Sequence, residues 1–146
     1  MKTTVELDMN DGSTKRFPAV APVALFWTVV QKCDAFRGWF LQLLQSKPSD
    51  LNNLWRVALY NDEVLPGNPL KVSNDRKLVG FYWSWMEYRR FIHHECMWYH
   101  LCAIRTSHIK KVKGGVSQLF KKLVSLFFST PADLRVGVHM TISSVL

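Results

Sequence analysis

The chain has little of most things that would declare its class. Its three cysteines, Cys33, Cys96 and Cys102, are odd in number and sparse over 146 residues, which excludes a disulfide framework. Such usage suits a reducing compartment, cytosol or nucleus. Long apolar runs are missing as well. The best span, 23–44, is interrupted by Gln31, Lys32, Asp34 and Arg37. That much charge is costly at a bilayer centre, so no membrane association is expected. The opening MKTTVELDMNDG lacks the apolar centre of a signal peptide, so an intracellular, nuclear or cytoplasmic, location is expected. No Gly-x-Ser-x-Gly elbow, Walker loop, dinucleotide fingerprint, helix-turn-helix, homeodomain or zinc-finger pattern occurs. Acidic residues are scarce, 11 against 19 Lys and Arg, leaving a formal charge of +8.

What is present is apolar and aromatic. A hydrophobic fraction of 48% excludes a disordered chain. Aromatics make up 13% of residues, with six Trp, and bury large areas. The length supports one domain with a real core. The positive surplus favours polyanions, nucleic acid ahead of anionic membrane, or is simply a soluble basic surface.

Periodicity divides the chain into an extended N-terminal segment (1–21), a helix (22–48) and a strand-rich remainder (49–146). Val5, Leu7 and Met9 alternate ahead of Asn10-Asp11-Gly12, a hairpin-turn signal. Pro18 and Pro22 break the chain before the helix, whose apolar residues run from Val23 to Leu44 at helical spacing, with Cys33 on the stripe as a small core residue. The run 55–64 reads as a central strand, apolar on both faces until its end. The run 77–86 reads as a second, antiparallel strand, and 96–104 as a third. An amphipathic helix is expected over 116–128 and another strand over 134–142. The class is therefore α+β. A meander followed by a helix and a returning strand is the opening half of a ribonuclease-H-like fold, although other α+β folds open in the same way.

Three constellations could carry chemistry. Asp62 and Glu63 end the first strand of the meander. A partly desolvated carboxylate there wants a cation such as Mg²⁺ or Mn²⁺, or else it caps the following loop. His94, Cys96, His100 and Cys102 share one face if the segment is extended. That is either the material of a zinc site or an aromatic-rich core strand, and the spacing matches no common zinc pattern. Arg89, Arg90, Arg105, Lys110, Lys111 and Lys113 lie among aromatics and suit phosphate contacts. The turn 110–115 could cradle a phosphate at the helix that follows, or be a solvated turn.

The segment WRVALYNDEVLPGNPL, followed by RKLVGFYWSWMEY, resembles transposase-like proteins from mobile elements of algal protists. The matching positions are Trp55, Arg56, Asp62, Glu63, Pro66, Gly67, Asn68, Leu70, Lys77, Tyr82, Trp83, Ser84 and Glu87. The run 105–117 and the opening segment match more loosely. More distantly, Asp62 to Pro69 is similar to the first motif of CACTA-type transposases. That resemblance implies a ribonuclease-H-like domain with an acidic triad, two divalent metals and DNA as partner. Asp62 would be its first catalytic carboxylate, with Asn68 and Pro69 shaping the loop. The family's second acidic motif, with its Cys-x-x-Cys, has no counterpart before Leu146, and Asp133 precedes the last expected strand. The resemblance therefore implies a DNA-binding, incomplete ribonuclease-H-like domain without strand transfer on its own. Half a fold exposes strand edges and invites self-association or a missing C-terminal half.

Overall fold

The computed structural model describes residues 1–65, 77–128, 133–138 and 140–142. The architecture is α+β, with two small antiparallel sheets and several helices.

The first sheet is a hairpin of β1 (Lys2–Asp8) and β2 (Thr14–Val20). Its turn uses Gly12 at φ +81°, a conformation that costs glycine little. The Asp11 carboxylate accepts from the Ser13 amide at 2.9 Å. Val5, Leu7 and Met9 are buried, as the alternation requires. Pro18 does not break the chain, contrary to the sequence reading. It sits within β2 opposite Thr4, tolerated because a two-stranded ribbon has open edges.

The expected single helix is two, α1 (Pro22–Lys32) and α2 (Asp34–Ser46). Pro22 opens α1, where its missing N–H is no loss. The break falls at Cys33, with φ −116° and ψ 98°. Arg37 holds the corner. Its guanidinium donates to the Gln31 carbonyl at 2.9 Å and pairs with Asp34 at 2.6 Å. The corner turns Cys33 out to solvent, so it is not the core residue its place on the stripe suggests.

The second sheet has the order β3-β4-β5, all antiparallel: β3 (Val57–Val64), β4 (Leu78–Trp85) and β5 (Tyr99–Arg105). The meander is thus present. However, β4 is its middle strand, and among the described strands β3 has one neighbour. Apolarity on both faces of 57–60 reflects aromatic cover on each face of the sheet rather than a strand on each side. The segment before β5 is shorter in strand than expected, because 86–93 and 95–97 are 3₁₀ turns. The described residues of 134–142 contain no strand.

A short helix α3 (Thr106–Ile109) leads into a turn and then α4 (Gly115–Ser125). Leu119 and Leu123 of α4, with Phe127 beyond it, face the core. Phe26 of α1 stands at its centre, edge-on to Phe40 (5.1 Å), Tyr99 (5.7 Å), Trp85 (6.0 Å) and Trp83 (6.2 Å). Edge-to-face packing of this kind adds to area burial. No described helix is long and apolar enough to cross a membrane.

Candidate metal ligands and nucleic-acid interface

Strand alternation decides the fate of the acidic pair. Asp62 lies opposite Gly80 and Glu63 opposite Val79, so the two carboxylates leave β3 on opposite faces. Glu63 turns toward the sheet end, where α3 begins. It accepts from the Thr106 hydroxyl at 3.0 Å and pairs with Lys77 at 3.2 Å. The Thr106 hydrogen bond first, and then Lys77, hold its carboxyl below the usual range. Asp62 is exposed, with no hydrogen bond or ion pair to any described residue. The two therefore do not form a joint ligand pair. The loop positions Pro66, Gly67, Asn68, Pro69 and Leu70 lie outside the described residues.

The His/Cys quartet is dispersed. His94 and Cys96 belong to the 3₁₀ segment and are exposed. A register shift between Phe81 and Tyr82 sets His100 opposite Tyr82 and Cys102 opposite Phe81. Such a bulge breaks the two-residue alternation, so His100 is exposed while Cys102 is buried. Burial pushes the Cys102 thiol up to about 12, as expected of a thiol in an apolar setting. No three of the described His, Cys, Asp and Glu residues are grouped to hold a metal ion.

The basic turn is fastened rather than loose. Asn10 N–H donates to the Lys111 carbonyl at 2.9 Å, and Lys113 N–H to the Asp8 carbonyl at 2.8 Å. Gln118 accepts from the Asp8 amide at 2.8 Å and donates to the Lys113 carbonyl at 2.9 Å. The amides of Lys110, Lys111, Val112, Lys113 and Gly115 all donate within the protein. Those five amides are not free to cradle a phosphate. Lys110, Lys111 and Lys113 are exposed, and none forms an ion pair with a described residue.

Between this turn and the hairpin lies a cleft of about 640 Å³, lined by Lys15, Arg16, His108 and Lys111 around the Phe17 ring. Phe17 and His108 are tilted 56° with centroids 5.9 Å apart. Lys15, Arg16 and His108 went unnoticed in the sequence because they come from two elements ninety residues apart. The other expected basic residues lie elsewhere. Arg105 ends β5, exposed on the solvent side. Arg89 and Arg90 are exposed on the 3₁₀ segment after β4. Arg90 lies over Phe91 at 5.1 Å, and Arg89 has φ 52° and ψ −120°, a strained region for a non-glycine residue.

The sheet face that carries Asp62 also carries Tyr60, Tyr82 and His100 on three neighbouring strands, with Trp98 at its end. Tyr60 contacts Tyr82 (6.4 Å) and Trp98 (5.7 Å), and Tyr82 contacts His100 (5.5 Å). Comparison of the chain with protein-family models, with curated proteins and with solved structures found no match.

Proposed function

We propose that the chain is a DNA-binding module of ribonuclease-H-like, transposase-like kind. The observation that carries DNA binding is the cleft between hairpin and basic turn. Lys15 and Lys111 line it, Lys110 and Lys113 stand exposed on the adjoining turn, and none of the four is within ion-pair distance of a described carboxylate. Unpaired ammonium groups around a groove attract phosphates whatever the base sequence. The test is the salt dependence of binding to labelled DNA. Replacing Lys110, Lys111 and Lys113 together with Gln should flatten the slope of log K against log salt by about 0.9 for each phosphate contact removed. An unchanged slope removes this turn from the interface.

The ribonuclease-H-like part of the reading is supported by the antiparallel meander, whose first strand bears Asp62 and has a free edge among the described strands. In such a fold that edge would receive a later strand, and Asp62 would be one of several carboxylates around Mg²⁺ or Mn²⁺. Asp62 favours this role because it is exposed and unpartnered among the described residues. Calorimetric titration with Mn²⁺ tests it. Binding that is lost in Asp62→Ala supports the role, and equal heats from both proteins end it.

A further inference from the structure

We infer that the solvent face of the β3-β4-β5 sheet is a stacking platform for unpaired bases, so that the nucleic acid crossing it is single-stranded. This rests on the DNA-binding reading above and adds the contact face and the strandedness of the ligand.

The platform is made by strand register. Tyr60 lies directly opposite Tyr82, and Tyr82 directly opposite His100, so three rings stand in one row across three strands. Adjacent strands are about 4.8 Å apart, wide enough for each ring to meet its neighbour and narrow enough to leave no gap for another side chain. Trp98, just before β5, adds a fourth ring in contact with Tyr60, its indole N–H fixed to the Ile92 carbonyl at 2.8 Å.

The next position along the middle strand is Gly80. A Cβ there would fall 2.6 Å from the Tyr82 hydroxyl oxygen, and 2.8 and 2.9 Å from Cε2 and Cζ of its ring. The Tyr82 ring therefore lies across the glycine. Gly80 is the side-chain-free site that lets it do so. Opposite the buried Gly80, on β5, stands Ala103, also small but exposed. Tyr60 is 49% exposed, so part of its ring remains open to a ligand beside its contacts with Tyr82 and Trp98. Packing against Tyr82 partly desolvates His100 and holds its imidazole below the ordinary value, so the ring is neutral near pH 7.

Charge selects the occupant. An aromatic strip could take a protein segment or a sugar, but this one belongs to a chain of net charge +8. Arg105 stands exposed on the same face, and Arg89 and Arg90 follow the far end of β4. Rings for bases, flanked by guanidinium groups for phosphates, match a single strand, whose bases are free to stack. A duplex hides its base faces and would meet only the rings' edges. Asp62, one row along on β3, would repel a phosphate. The backbone should accordingly run on the β5 side, past Arg105.

The test compares a labelled oligothymidylate with a labelled duplex of equal length, by fluorescence anisotropy at one salt concentration. Tyr60→Ala and His100→Ala, each checked by circular dichroism and melting, should weaken the single strand about 5- to 100-fold. Duplex affinity, carried by phosphate contacts, should hold. Asp62→Asn should tighten the single strand, which also separates this role from metal ligation. Unchanged single-strand affinity in both ring variants overturns the inference, as does an equal loss on the duplex. A wild type that binds the duplex but no single strand sinks this inference and leaves the DNA-binding reading standing. Failure to bind either nucleic acid ends both.

Discussion

Trp83 and Tyr82 are neighbours in β4, yet they live in different media. Trp83 is 0% exposed, with Phe127 edge-on at 5.2 Å, Trp85 at 5.3 Å and Tyr99 at 4.9 Å. Tyr82 points the other way, over Gly80, with Tyr60 and His100 beside it. On the inner face each ring is enclosed by rings from other elements: α1, the segment after α4, and β5 itself. On the outer face the rings touch chiefly one another, in a row along the sheet. The inner aromatics hold the fold together, because their surface is removed from water on all sides. The outer ones keep surface in hand for a ligand. Both faces look alike in composition. What separates them is whether another described element lies on top.

The largest effect should come from the inner face. Trp83→Ala deletes a wholly buried side chain at the meeting point of β4, β5, α1 and Phe127. A loss of about 3–5 kcal/mol is expected from transfer and cavity terms together, read as a drop in urea midpoint with an unchanged slope. Since small domains have only some 5–15 kcal/mol in total, the variant should sit near the edge of folding. A loss below about 1 kcal/mol would mean that the inner cluster is not the core it looks to be.

The outer face offers a test by sign. Gly80→Ala in a strand should stabilise by about 0.4–1 kcal/mol if the new methyl meets nothing, because the unfolded chain loses freedom. Here the methyl would meet the Tyr82 ring at under 3.0 Å. Ring displacement should reverse the sign, to a destabilisation of about 1 kcal/mol. Urea unfolding reads the sign, and near-ultraviolet circular dichroism reads the tyrosine. A stabilised Gly80→Ala protein would show that Tyr82 does not lie on the sheet.

The legibility of these features in the sequence follows the range of the interactions behind them. The β1-β2 hairpin was legible because Val5, Leu7 and Met9 alternate and Asn-Asp-Gly makes a local turn. The three-strand meander and α4 were legible for the same reason, being short-range patterns. The division at Cys33 was not. It depends on Arg37 bonding back to the Gln31 carbonyl and to Asp34, while the apolar stripe runs on unbroken. The edge position of β3 among the described strands was not legible either, since both of its faces carry apolar residues. The bulge that separates His100 from Cys102 leaves no mark on composition, so a face count alone aligned them. The basic turn was found as a charge run, but its partners Lys15 and Arg16 lie on a strand far away in sequence. Asp62 and Glu63 lie at a strand end, as the sequence predicts. Their divergence onto opposite faces follows from alternation alone.

The smallest effect separates the faces by pH. His100 has its pKa lowered, chiefly by desolvation against the outer row, with the Cys102 backbone acting weakly in the opposite sense. Above about pH 6.5 the imidazole is neutral in both folded and unfolded chains and contributes no pH dependence. As pH falls through that value the unfolded chain binds the proton first, so the folded state loses ground. The loss grows until the lower folded-state pKa is passed and is constant below it. Glu63 acts in a separate window. The Thr106 hydrogen bond, and then Lys77, hold its carboxyl below the usual glutamate range, so the stability it contributes is present above that range and lost as pH falls further. Melting temperature followed from pH 8 to pH 3 should therefore show a shallow decline beginning near pH 6.5 and a further one near pH 4. His100→Gln should remove the first and keep the second. Bound oligothymidylate should alter the first step, because a base stacked on the ring desolvates it while a phosphate passing along β5 favours its charged form. A first step that ignores the ligand would place His100 outside the stacked row, and the outer face would then be two tyrosines wide.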